Sequence, residues 1–193
     1  MRFYNLARFL AKVVLKILYK VEIHGLENIP NKGKIVICSN HSSLWDPVIV
    51  ATSISRQVSF MAKKELFNNK ILKSIILKLG AFPVNRKGAD LNAIKTSLRI
   101  LKKGGALGIF PEGTRNIEGK RIDAKPGTAM IGIKSRTPII PMRIITNYKF
   151  FNTIKVFIGK PIYLERYFGQ KLSMDKYSEI SNEIMNNIYG LGD

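Results

Sequence analysis

The chain predicts an α/β domain: a seven-stranded sheet covered by helices on both faces, with an amphipathic helix at its start. Three observations carry this. Beyond residue 20, short apolar runs alternate with segments of helical period. Caps and breakers punctuate them, with Asp90 and Ser173 as N-caps and Gly80, Gly104 and Gly190 as stops. No proline- or serine-rich linker divides the 193 residues, a length that suits one domain with a substantial core.

Residues 3–19 are apolar except for Asn5 and a basic series, Arg8, Lys12 and Lys16, which Lys20 continues. A spacing of four puts these cations in one drifting stripe along a helix. The uninterrupted apolar runs are far shorter than the roughly 20 residues that span a bilayer. This helix is therefore expected to lie in the membrane interface, with Arg8, Lys12, Lys16 and Lys20 toward anionic headgroups. The alternative is a helix packed on the domain with its lysines in water. The division read here is an interfacial helix over 1–20 and one catalytic domain over 21–193.

Strands are read at Val21–His24, Ile35–Ser39, Val58–Ala62, Ala81–Val84, Ala106–Phe110, Ile139–Ile145 and Ile154–Ile158. Helices are read at Pro47–Ser55, Lys64–Leu79, Leu91–Lys103, Thr128–Arg136 and Met174–Tyr189. In folds of this class ligands gather beyond strand ends. Three of those ends carry chemistry.

Ile35–Ser39 runs into Asn40-His41-Ser42-Ser43-Leu44-Trp45-Asp46, and Pro47 then opens a helix. Five positions on one straight helix would turn His41 and Asp46 roughly 140° apart. A strand, a turn and a helix start can instead bring them together. So paired, they form a general base with its orienting acid. The plainer reading has Asp46 as a helix N-cap and His41 as a hydrogen-bonded loop residue.

The second end is Phe110-Pro111-Glu112-Gly113-Thr114-Arg115. Gly113 permits close approach of backbone amides, and Arg115 can clamp a phosphate through two parallel hydrogen bonds. Glu112 can orient Arg115 or a substrate hydroxyl. The third, Phe82-Pro83-Val84-Asn85-Arg86, offers another arginine. Pro141, in a proline-broken apolar strand, either lines an acyl pocket or belongs to the core at a sheet edge.

Lys and Arg number 32 against 13 Asp and Glu, a net charge of +19. That implies an anionic partner: nucleic acid, anionic membrane or phosphorylated substrate. No helix-turn-helix, zinc-finger or aromatic RNA-binding signature accompanies the charge, so nucleic acid is not expected. The single cysteine, Cys38, excludes an internal disulfide and reads as a small buried hydrophobe. Two histidines and one cysteine are too few for an ordinary structural zinc site, and no metal is expected. No Gly-x-Ser-x-Gly elbow is present, and no secretory cleavage pattern is read.

Taken together and in this order, the segments resemble the glycerophospholipid acyltransferase family. The resemblance rests on Asn40, His41, Ser42 and Asp46, on Phe110 to Arg115 without a substitution, on Gly80, Phe82 and Arg86, and on Pro141. It implies a mixed sheet like that of glycerol-3-phosphate acyltransferase. It also implies transfer of an acyl chain from acyl-CoA or acyl-carrier protein to the sn-2 hydroxyl of lysophosphatidic acid, without a cofactor. His41 would take the hydroxyl proton and Asp46 would hold His41. Arg86, Glu112, Gly113, Thr114 and Arg115 would hold the phosphate, and Pro141 would lie on the acyl or donor side. Asn116 stands where the family often has serine. Glycerol 3-phosphate or another lysolipid as acceptor, and a non-enzymatic basic domain that binds nucleic acid or membrane, remain alternatives. The expected location is the cytoplasmic face of the cell membrane, as a peripheral protein.

Overall fold

The computed structural model describes residues 2–85, 88, 90–116 and 122–192. Among them seven strands form one sheet: β1 (Lys20–His24), β2 (Ile35–Ser39), β3 (Val58–Lys63), β4 (Phe82–Val84), β5 (Ala106–Ile109), β6 (Ile139–Ile145) and β7 (Thr153–Ile158). Their order across the sheet is β1-β7-β6-β2-β5-β3-β4. Neighbours run parallel except β6 and β7, which are antiparallel, so the sheet is mixed. β2 sits at its centre, with all five residues buried. That explains its unbroken apolar run, since a strand covered on both faces has no polar side to show.

Among the described residues six α-helices cover the sheet: α1 (Arg2–Leu18), α2 (Asp46–Ser53), α3 (Lys70–Lys78), α4 (Leu91–Lys102), α5 (Gly127–Ser135) and α6 (Met174–Tyr189). Side chains alternate across β2. Val36 and Cys38 join the core beneath α4, α5 and α6, while Ile35 and Ile37 join the core beneath α1 and α2. Asp90 and Ser173 cap α4 and α6 as expected, accepting from Asn92 N and Ala93 N and from Lys176 N. The single helix expected over 64–79 is divided into a 3-10 turn at Lys64–Phe67 and α3. Asn69 divides it, because its side chain accepts from Ile71 N and Leu72 N and so starts a new helix.

α1 is fastened to the domain along one face. Tyr4 and Leu15 are buried, and the Tyr4 hydroxyl accepts from Val58 N. Arg8 does not join the stripe of cations expected at a headgroup layer. Its guanidinium donates to Ile54 O at 3.0 Å and to Ser55 O, the carbonyls left open where α2 ends. Lys12, Lys16 and Lys20 are exposed, the last paired with Glu22. The outward face carries Phe3, Leu6, Phe9, Leu10, Val13, Val14 and Ile17, all exposed. At roughly 100° per residue Lys12 and Lys16 lie along one flank of that face, between it and the buried side.

Candidate active site

β2 ends beside β5 and β6, so the loop after it meets the loops after both neighbours. Asn40 makes the first tie. Its side chain donates to Ile144 O and accepts from Ile144 N, which joins the loop to the end of β6. The backbone then turns, and Asp46 points back into the loop. Trp45 occupies the cap position of α2, and no side chain caps that end. The helix-cap reading of Asp46 is thereby replaced.

Asp46 is wholly buried and its oxygens gather four donors. Oδ2 accepts from His41 Nδ1 at 2.8 Å, from Ser42 N at 2.6 Å and from Ser43 N at 2.7 Å. Oδ1 accepts from the Tyr148 hydroxyl, which belongs to the loop between β6 and β7. A carboxylate held at both oxygens has one orientation to offer its histidine. With Nδ1 engaged, Nε2 is the imidazole nitrogen left for a substrate hydroxyl. Burial first, and then the Asp46 charge, push the Tyr148 phenol well above its ordinary range, so it stays a donor.

Below the imidazole lies an aromatic stack. His41 faces Phe110 with ring centroids 4.1 Å apart, and Phe110 faces Phe60 at 6.0 Å. Phe60 can lie there because Gly108 stands opposite it in the β3–β5 ladder. A Cβ on Gly108 would fall 2.2 Å from the Phe60 ring. The glycine is a place where a ring crosses the neighbouring strand.

Glu112 lies elsewhere than at a phosphate. It is wholly buried, with Oε2 accepting from His41 N at 2.9 Å and Oε1 from the Tyr189 hydroxyl at 2.8 Å. The Asn116 side chain adds a further hydrogen bond to it, and Asn116 N donates to His41 O at 2.7 Å. This carboxylate braces the backbone of His41 and has no open oxygen for a ligand. Burial pushes its carboxyl up, and the hydrogen bonds pull the other way. Desolvation, with the Glu112 bond second, pushes the Tyr189 phenol up to about 12.

Gly113 has a φ of +70°, as the turn requires, and leaves room for Lys125, whose Cγ would lie 3.1 Å from an added Cβ. Thr114 and Arg115 are exposed on the same turn. Arg115 and His41 both line one cleft of about 600 Å³. Tyr4, Ala7, Arg8 and Ala11 of α1 form one wall, and Leu72, Ile76 and Leu79 form the other. Phe60 and Phe110 lie between them, and Lys63 also reaches the cleft. The size is that of a small-molecule site.

One expectation lies outside the described residues and another faces away from this cleft. Arg86 lies outside the described residues. Pro141 pairs with Cys38 across the β6–β2 ladder and touches the neighbourhood of Gly159 and Leu191. It therefore faces the opposite side of the sheet from the cleft and serves the core. Sequence reasoning missed Tyr148, Tyr189 and Gly108. A glycine interrupting a buried apolar strand was the one signal available, and it pointed to close packing.

The arrangement can take a proton from a hydroxyl presented at Nε2, hold an anionic group beside Arg115, and house an apolar chain. Comparison with known proteins bears on that reading. Residues 20–145 match the family model described as Acyltransferase. The chain is 34% identical over 158 residues to the 1-acyl-sn-glycerol-3-phosphate acyltransferase of Bacillus subtilis (strain 168), covering 79% of this chain and 78% of that protein. It is 31% identical over 185 residues to the protein of that name from Streptococcus pneumoniae, covering 94% and 67%. In three dimensions it resembles the 1-acyl-sn-glycerophosphate acyltransferase of Thermotoga maritima, with a TM-score of 0.74, 24% identity and coverage of 95% and 79%.

Proposed function

The chain belongs to the acyltransferase family, and from that premise we propose that it acylates the free sn-2 hydroxyl of lysophosphatidic acid, giving phosphatidic acid. The observation that carries the reading is the hydrogen-bonded His41–Asp46 pair opening on an apolar cleft that Arg115 also lines. His41 takes the hydroxyl proton through Nε2, and Asp46 fixes the tautomer and stabilises the imidazolium. The acceptor oxygen attacks the carbonyl carbon of an acyl thioester. The carbon–oxygen bond forms as the carbon–sulfur bond breaks, and the proton passes from His41 to the leaving thiolate. That balance calls for no cofactor. Arg115 holds the acceptor phosphate, with Lys63 and Arg86 as further candidates, while Thr114 and Gly113 shape the turn. The acyl chain occupies the cleft between α1 and α3.

The membrane supplies the acceptor, and the apolar outward face of α1, flanked by Lys12, Lys16 and Lys20, is the surface that meets it. Among the described residues no helix is long and apolar enough to cross a membrane. The net charge of +19 draws in the anionic lipid and an anionic donor, acyl-CoA or acyl-carrier protein.

The test is thiol release from each donor in the presence of lysophosphatidic acid. His41→Ala is expected to lower the rate by about 100- to 10,000-fold, the usual contribution of a general base. Equal rates for the two proteins would remove His41 from the mechanism.

A further inference from the structure

Two of the most exposed large apolar side chains lie outside α1. Phe150 is 65% and Phe151 80% exposed, side by side in the loop joining β6 to β7. The loop is fastened to the end of α1. Phe151 N donates to Leu18 O at 2.7 Å, Lys20 N donates to Asn152 O at 3.2 Å, and the Phe150 ring lies 6.2 Å from that of Tyr19. The apolar outward face of the helix, ending at Ile17, therefore continues into the phenylalanine pair.

The loop is also built to hold its shape. Asn147 Oδ1 accepts from Lys149 N and Asn152 Nδ2, both at 3.0 Å, and Asn152 N donates to Lys149 O. Tyr148 and Phe151 have φ of +55° and +63°, a region that bulky side chains seldom adopt. A backbone held in that way, displaying aromatic rings to solvent, suggests a role beyond packing.

We propose that Phe150 and Phe151 are a second membrane contact, entering an anionic bilayer beyond the C-terminal end of α1. The charge around the pair selects this occupant. Lys149 in the loop, Lys12 and Lys16 along α1, and Lys20 at the start of β1, which pairs with Glu22, are exposed and of one sign. A second copy of the chain would set +19 against +19, whereas a layer of anionic headgroups over acyl chains accepts both the lysines and the rings. The same loop carries Tyr148, whose hydroxyl reaches Asp46. Seating the pair in lipid thus sets the depth of the carboxylate that holds His41. The proposal deepens the interfacial reading above and rests on it for the choice of partner.

The decisive measurement is partition of the full chain onto vesicles of phosphatidylglycerol and phosphatidylcholine, which uses no turnover and so stands apart from the test of activity. Replacing both residues, Phe150→Ser with Phe151→Ser, is expected to lower the partition coefficient about tenfold, as loss of a partly immersed aromatic pair implies. Because both rings are exposed, the thermal midpoint should match wild type. In parallel, Phe151→Trp should add emission that chain-brominated lipid quenches beyond the background from Trp45. Unchanged partition of the double variant would overturn the proposal, and so would an added tryptophan signal left unquenched on vesicle-bound protein. So would a dimer in lipid-free solution that the double replacement dissociates, since a second copy would then be the occupant.

Discussion

Asp46 has four donors and one task, to hold the His41 imidazole, and two residues that brace this pair, Tyr148 and Glu112, make separable predictions. Among the described residues, the donor to Oδ1 is the Tyr148 hydroxyl. Tyr148→Phe removes that donor while leaving His41 and two backbone amides on Oδ2. The expected result is a fall in kcat of about tenfold, the effect of losing one charge-assisted hydrogen bond, with KM for the acceptor little changed. The pH–rate profile should move with it, since the carboxylate that stabilises the imidazolium has lost a partner. An unaltered profile would make Tyr148 a packing residue alone.

Glu112 separates a brace from a ligand-binding group. Removing it in Glu112→Ala strands the His41 N–H and the Tyr189 hydroxyl, and should cost about 2–4 kcal/mol of stability. A phosphate-binding role would instead raise KM at unchanged stability. The buried carboxyl also leaves a pH signature. Its folded value lies above the ordinary 4.5, so in the window just above 4.5 the folded chain keeps a proton that the unfolded chain has released. Stability contributed by the neutral carboxyl is full below that window and is lost as pH rises through it. Glu112→Gln, which cannot titrate, should flatten this segment of a denaturation-against-pH curve.

Strands and helices reach the site through two small accommodations. Gly108 in β5 lets Phe60 of β3 lie across it and support Phe110, on which His41 stacks. Gly108→Val drives a side chain into that ring. A loss of about 1–3 kcal/mol is expected from the overpacking, with activity falling further than the stability loss explains. Equilibrium unfolding beside kcat/KM checks both. The other accommodation is Arg8, which serves α2. Its two bonds to Ile54 O and Ser55 O tie α1 to the helix that begins at Asp46. A basic stripe read along one helix could not separate this arginine from the lysines four and eight positions later. Period tells which residues share a face, and the neighbouring helix decides which of them it recruits.

Over the molecule as a whole, the charge of +19 and the outward face of α1 act together. The electrostatic share of vesicle binding should weaken as ionic strength rises and the Debye length shrinks from about 10 Å at 0.1 M to about 3 Å at 1 M. The apolar share persists. Polar replacements on the outward face, such as Leu6→Gln with Leu10→Gln, should then release the protein from anionic vesicles at high salt more completely than wild type. They should leave the melting temperature close to its original value, because neither side chain is buried. Release of wild type and variant at the same salt concentration would remove α1 from the interface. Truncating the helix is a poorer test, since Tyr4 and Leu15 are part of the core.

Read alone, the chain already contained the seven apolar runs, the caps at Asp90 and Ser173, the breaks at glycine, and a histidine and an acid leaving one strand together. These are local matters of side-chain period, backbone preference and a turn of a few residues. Tertiary structure alone decided the rest. Tyr148 meets Asp46 across 102 positions and Tyr189 meets Glu112 across 77, because β2 was placed between β5 and β6. The same order buried Glu112 as a brace and turned Pro141 to the far face of the sheet. Which strand lies beside which depends on apolar surfaces fitting together over the entire chain, and no window of neighbouring residues records that fit.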